Sequence, residues 1–450
     1  MTYYQLTGHV FNLLPYLAIF SIFFVKKNLT EYLIILFFTV GSIYLYDYRL
    51  FGFISLQQIL MTCIALLYFM LHSDIHKDKD ILFFKRRYLS IFIFFSIVTI
   101  LFHLLNFEFK VQGSIVQNEL RSVFQIAQLG LMFLSSIVIL SVKASIAKRI
   151  LNYIFFSILL LAIIGLLQEL IYLLFNFDIF PMRKDFFNPL FGITDKMYGF
   201  VRITVGIGEP KQVAKYLNIG LSCLIFVPSL LYLKKYRVIF SIIFVLAILF
   251  TFSTTGYIIL FSQIFIFILI KYRRNILILT MSISLLSIIS IIVFMKTDFF
   301  IDKIEYLVSI GDIPFLENSD TAALKFLLSN PVFILFGVGI GNIVSFAYLY
   351  APLGSQYINN APYTLRRGII KNLAEGGIVG TMLINLLFLS YIKKVKDSNI
   401  RSFILFMVFY YNFMTVEALN EFIMIFIVLL YTIDRKSETG RFNENTSNNT

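Results

Sequence analysis

Charge is scarce in this sequence. Asp, Glu, Lys and Arg make up 14% of the residues, against 59% hydrophobic and a mean hydropathy of +0.85. Soluble domains carry about 25% charged residues, and so few charges cannot cover a water-facing surface for a chain this long. The polytopic membrane class follows. Cysteine is scarcer still. Cys63 and Cys223 both lie in apolar runs, which argues against a disulfide framework. The four histidines are His9, His72, His76 and His103. Two flank a lysine cluster and two sit near the ends of apolar runs, a poor basis for a zinc enzyme or a histidine-based hydrolase. The sequence has no Walker-type phosphate loop, no Cys/His metal spacing and no Gly-x-Ser-x-Gly elbow. The first apolar run lacks a basic start and a small-residue cleavage site, so no cleavable signal is expected. Acidic residues are outnumbered, giving a net charge of +13. In a membrane protein that excess belongs to cytoplasmic loops, and no nucleic acid is implied.

What is there is a succession of apolar runs, each able to span a bilayer as a helix, the shortest only marginally. Thirteen are read, near 9–25, 31–46, 51–71, 89–105, 121–142, 150–175, 212–233, 238–252, 257–270, 276–294, 369–391, 402–416 and 420–433. The polar "TFSTTG" predicts a tight hairpin between 238–252 and 257–270. Every second connection is basic: "VKKN", "HKDKDILFFKRR", "KASIAKR", "KKYR", "KYRRN", "KKVKDSNIR" and the tail "DRK". These define the cytoplasmic side, with the C-terminus inside and, for thirteen spans, the N-terminus outside. Residues 1–433 then form a single transmembrane domain of all-α class with about 12–13 helices. Two long connections fall on the external side, 176–211 and 295–368, and 434–450 reads as a disordered cytoplasmic tail. Within the second loop, "TAALKFLL" and "PVFILFGVGIG" predict short helices or re-entrant pieces.

Charge concentrates where these loops meet helices. "RITVGIGEPKQVAKYL" holds Arg202, Glu209, Lys211 and Lys215 at a predicted helix start. "PYTLRRGIIKNLAEGGIVG" holds Tyr363, Arg366, Arg367, Lys371 and Glu375, with Asn360 just before it. Helix N–H groups beside arginine forks make anion sites. Two such clusters at the mouth of a membrane suit a lipid diphosphate; the plainer alternative is contact with ordinary head groups. Glu169, Glu417 and Glu421 are further acidic residues at or near apolar runs, placed for function or for pairing with arginine.

These segments resemble the O-antigen polymerase and ligase group. "RITVGIGEPKQVAKYL" is similar to its arginine–glycine–Glu/Asn–Pro segment, "FTFSTTGYIILF" stands where it has a hairpin, and "NPVFILFGVGIGN" resembles its Gly-x-Gly-x-Gly stretch. The closing "NNAPYTLRRGIIKNLAEGGIVGTMLINLLFL" resembles its loop end, Glu-x-Gly turn and Gly-rich helix. The likeness covers mainly 150–433. It departs where ligases carry a histidine: here stand Asn359 and Asn360, which favours polymerase over ligase. The resemblance implies a GT-C-like fold in a bacterial inner membrane. It also implies a glycosyltransferase that polymerises undecaprenyl-diphosphate-linked repeat units at the periplasmic face, without metal or cofactor. Arg202, Arg366 and Arg367 would grip the diphosphate and Glu209 would act as base. Lys211, Lys215, Asn360, Tyr363, Lys371 and Glu375 would bind substrate. Partners would be the lipid-linked oligosaccharide, membrane lipid, and flippase and chain-length regulator proteins. A ligase and a flippase or transporter are the alternatives. Transport is disfavoured by the absence of a visible repeat.

Overall fold

The computed structural model describes residues 20–22, 28–41, 49–50, 54–70, 78–104, 115–179, 182–183, 192–193, 196–197, 199–205, 210–272, 318–342, 368–414 and 421–435. The described chain is helical. In order the helices are α1 (Leu29–Leu36, running into a π turn at Phe37–Gly41), α2 (Leu56–Met70), α3 (Lys79–Leu104), α4 (Ile115–Ser141) and α5 (Ala144–Phe175). After them come α6 (Pro210–Phe226), α7 (Arg237–Phe250), α8 (Thr254–Tyr272), α9 (Asn318–Leu328), α10 (Pro331–Phe336), α11 (Gly368–Lys394), α12 (Ser398–Met414) and α13 (421–435). Three antiparallel two-residue ladders are the extended structure among the described residues: Arg49–Leu50 with Ile54–Ser55, Met182–Arg183 with Gly192–Ile193, and Lys196–Met197 with Phe200–Val201.

Among the described residues four helices are long and apolar enough to cross a membrane: α3, α4, α5 and α11. On α3 the outward side chains are themselves apolar, with Leu89, Ile93, Ile97, Ile100, Leu101 and Leu104 all about half exposed or more. A stripe of that size needs an apolar surrounding. α13 has the opposite character, buried from residue 421 to 434. A helix apolar all round belongs at the centre of a bundle. Phe38, Phe403 and Tyr216 set their rings on its upper part, and Phe84 and Tyr391 on Tyr431.

Helix starts and stops mostly fall close to the apolar runs. α3 begins earlier than the run near 89–105, because "DILFFKRR" is itself helical, capped by the Asp78 carboxylate accepting from the N–H groups of Asp80 (3.0 Å) and Ile81 (3.4 Å). α6 stops at Phe226, short of 233, where Pro228 opens a 3₁₀ turn. The run near 9–25 is described only at residues 20–22, and 276–294 lies outside the described residues, as do most of 295–368 and the tail beyond 435.

The predicted hairpin at "TFSTTG" is present. Gly256 and Gln263 of α8 meet Ala214 and Ser222 of α6, so α8 runs parallel to α6. α7 runs the other way, with Phe244 against Gly220 and Arg237 donating to the Ile225 carbonyl. The reversal is made in three residues, with Phe252 at a φ of 46°.

The bundle has two distinct ends. At one, Arg149 pairs with Glu31 (3.2 Å), Lys394 with Asp80 (2.5 Å), and Arg435 with Asp78 and with Asp80 (3.0 Å). There too, Asp434 accepts from the N–H groups of Lys396 and Asp397, and Asn152 bonds both Leu230 O and Tyr232 N. These contacts tie together helix ends beside six of the seven connections that the charge pattern assigns to one side. We call this the basic end. The opposite, loop end carries the 199–205 segment, α9, α10 and the first turns of α6, α11 and α13.

Candidate functional site

The Arg202 segment is held on two helices. The Ile203 N–H bonds Phe250 O (3.1 Å), and the Gln168 Oε1 of α5 accepts from the N–H groups of Thr204 and Val205. Val205 is left at a φ of 49°, a strained state for a β-branched residue. Arg202 itself donates from Nε to Thr251 O (3.2 Å) and from Nη2 to Phe252 O (3.3 Å). Its guanidinium therefore braces the α7–α8 turn, a duty that motif reading had not assigned. Behind it Glu169 is buried, at 2% exposure, with neither carboxylate oxygen bonded. Its neighbour Gln168 also bonds the buried Asp178 (2.9 Å).

α6 opens at Pro210, as the sequence predicts, with Lys211 half-buried and Lys215 buried. Glu209 lies outside the described residues, as do Asn360, Tyr363, Arg366, Arg367 and Glu417. Of the second cluster, Lys371 and Glu375 are described. They stand in the first two turns of α11, with Glu375 buried at 7% exposure.

The apolar run reads as one span over 369–391, while the resemblance implies a Glu-x-Gly turn within it; the structure has a break there, at Gly377, at φ 61° and ψ −162°. On the N-terminal side of the break, the carbonyls of Ala374 and Glu375 accept from the N–H groups of Val338 (2.9 Å) and Gly339 (3.0 Å). Gly337, at φ 72°, approaches so closely that a Cβ there would lie 2.5 Å from Gly376 N. Thus "GVGIG" and "LAEGG", two stretches far apart in sequence, form one backbone-to-backbone clip. A glycine-rich loop suggests an anion cradle. Here the N–H groups of 337–340 are already engaged, by Phe333 O, Ala374 O, Glu375 O and Thr99 Oγ1. The loop is a splice that positions α11. Asn342 extends it, accepting from Ser122 of α4 (2.8 Å).

A polar chain links α13, α4 and α2 at the loop end. Glu421, at the first turn of α13, accepts from Gln128 of α4 (2.9 Å), which in turn accepts from Gln58 of α2 (3.2 Å). Beside Glu421, the Phe422 ring lies 5.9 Å from that of Tyr216, the residue after Lys215. On its other side, the Tyr411 hydroxyl donates to Asn372 (3.3 Å) and lies within electrostatic reach of Lys371, Glu375 and Glu421. The first turns of α6, α11 and α13 therefore meet at one end of the bundle. Lys215 and Lys371 are the sequence neighbours of Tyr216 and Asn372, the α6 and α11 residues that make these contacts.

Motif reading missed Gln58, Gln128, Asn372 and Tyr411, and noticed Glu421 only in passing. Each is a polar side chain in an apolar run, where an unpartnered group is costly. That isolation is the signal by which they are found. No protein-family model matches the chain, and no curated protein matches it.

Proposed function

We propose that the chain is a polytopic bacterial inner-membrane glycosyltransferase that polymerises undecaprenyl-diphosphate-linked oligosaccharide repeat units into surface polysaccharide. The observation that supports this reading is that the first turns of α6 and α11, which carry Lys211, Lys215 and Lys371, lie at the same end of the bundle as the buried Glu375 and Glu421. In the reaction a hydroxyl oxygen of the incoming unit attacks the anomeric carbon of the growing chain. The bond from that carbon to the lipid diphosphate breaks, and its electron pair leaves with the diphosphate. Arginines and lysines at the loop end hold the leaving anion. The hydroxyl proton passes to a carboxylate, for which Glu209 is our assignment. The charge pattern sets the loop end toward the periplasm, where lipid-linked units are consumed.

The test is the glycan pattern of cells carrying Arg202→Lys or Arg366→Ala. We expect normal protein levels and glycans of a single unit. Arg202→Lys keeps the charge but loses the planar fork. Full-length polymer from both variants would remove these arginines from the reaction, and polymer stranded on its lipid would reassign the chain to ligation.

A further inference from the structure

The basic end holds cations of two kinds. Arg149, Lys394 and Arg435 are each paired with a carboxylate. Lys79, Arg86 and Arg87 of α3 have no such partner among the described residues. The nearest acids in sequence, Asp78 and Asp80, are engaged by Arg435 and Lys394. The unpaired three line an open groove of about 520 Å³ together with Leu82, Phe83 and Ser90. Phe83 forms its floor and is flanked by cations, Arg87 lying 4.7 Å and Lys394 4.2 Å from the ring centroid. At helical spacing, the same face continues through the exposed Ile93, Ile97 and Ile100. A cationic recess thus opens onto an apolar stripe, on a helix long enough to cross a bilayer. A soluble acidic partner would have no use for the stripe.

We propose that this groove binds one anionic phospholipid of the surrounding leaflet. Its phosphate would sit among Lys79, Arg86 and Arg87, and its acyl chains along Ile93, Ile97 and Ile100. Unneutralised cations at the head and apolar side chains below match the two halves of such a lipid.

The experiment is native mass spectrometry of the full chain from micelles containing phosphatidylglycerol or phosphatidylcholine. The wild type should retain one phosphatidylglycerol under conditions that strip phosphatidylcholine. K79Q/R86Q/R87Q should lower that retention by about a hundredfold, since each basic residue near an anionic head group counts separately. K143Q/K234Q/K235Q removes as many cations outside the groove and should change it less than about twofold. Should the triple variant not fold, R86Q alone serves, because its side chain is exposed, and it should show a loss of a few-fold. Equal loss from both triple variants, or equal retention of the two lipids, overturns the proposal.

Discussion

The two ends of the bundle are fastened by different means. At the basic end, side chains of opposite charge pair across helices: Glu31 with Arg149, Asp80 with Lys394, Asp78 with Arg435. At the loop end the named fastenings are mostly backbone or neutral. Glycines touch backbone at 337 and 377, Gln168 holds 204 and 205, and Arg202 grips carbonyls. Ion pairs tolerate small shifts of their long side chains, whereas a glycine splice fixes backbone position to within a few tenths of an ångström. The end to which the proposed function assigns the substrate is thus the end fixed through backbone. Apart from Arg202, which braces the α7–α8 turn, its named fastenings spend no charged side chain.

The sharpest way to break this contrast is at the splice. Gly337→Ala adds a Cβ at 2.5 Å from Gly376 N, at a φ that side chains avoid. Overpacking and backbone strain together cost about 3 kcal/mol or more. We expect α10 to leave α11, with a lowered apparent melting temperature in detergent and faster proteolysis near 331–342. Lipid retention at the α3 groove should stay as in wild type. Wild-type melting of Gly337→Ala would show that the splice is looser than its geometry implies.

At the basic end the effects are smaller. Arg435→Gln leaves Asp78 and Asp80 facing each other at the start of α3. Both are partly exposed, so the loss should be about 1–2 kcal/mol, read as a melting shift. The pH response has a defined sign. Burial alone would raise the Asp78 carboxyl, but hydrogen bonding and charge from Arg435, with the N–H groups of Ile81 and Asp80, hold it below the ordinary 3.8. Its stabilising contribution is therefore complete above about pH 4 and is lost as pH falls through the lower folded value. Arg435→Gln should flatten the acid limb of the stability profile and leave neutral pH lower throughout.

Helices were legible in the sequence because hydropathy and caps are local. The hairpin at Phe252 and the short helices of "TAALKFLL" and "PVFILF" were readable for the same reason. The break in α11 was legible only as the Glu-x-Gly turn of the resemblance; hydropathy reads straight through it, because the carbonyls of Ala374 and Glu375 are taken by "GVGIG" from elsewhere in the chain. The described part of the site was half legible. Lys211, Lys215, Lys371 and Glu375 announced themselves by charge. Their joining through Tyr216, Phe422, Tyr411 and Gln128 depends on which helices neighbour α13, which no local pattern encodes. Arg202 carried a readable charge and an unreadable second task, because its carbonyl partners lie about fifty residues on.

The weakest fastening gives the finest comparison. Arg149 and Glu31 pair at 3.2 Å, but the arginine side chain is 45% exposed. Exposed pairs are worth about 0.2–1 kcal/mol, and salt screens them. Glu31→Gln should therefore shift the melting temperature little, and 1 M salt should erase most of the difference. Against Gly337→Ala, whose defect is steric, the same salt should do nothing. If salt instead softened the glycine variant as much as the charge variant, the loop end would be held by charge after all, and the division between a latched end and a spliced end would fail.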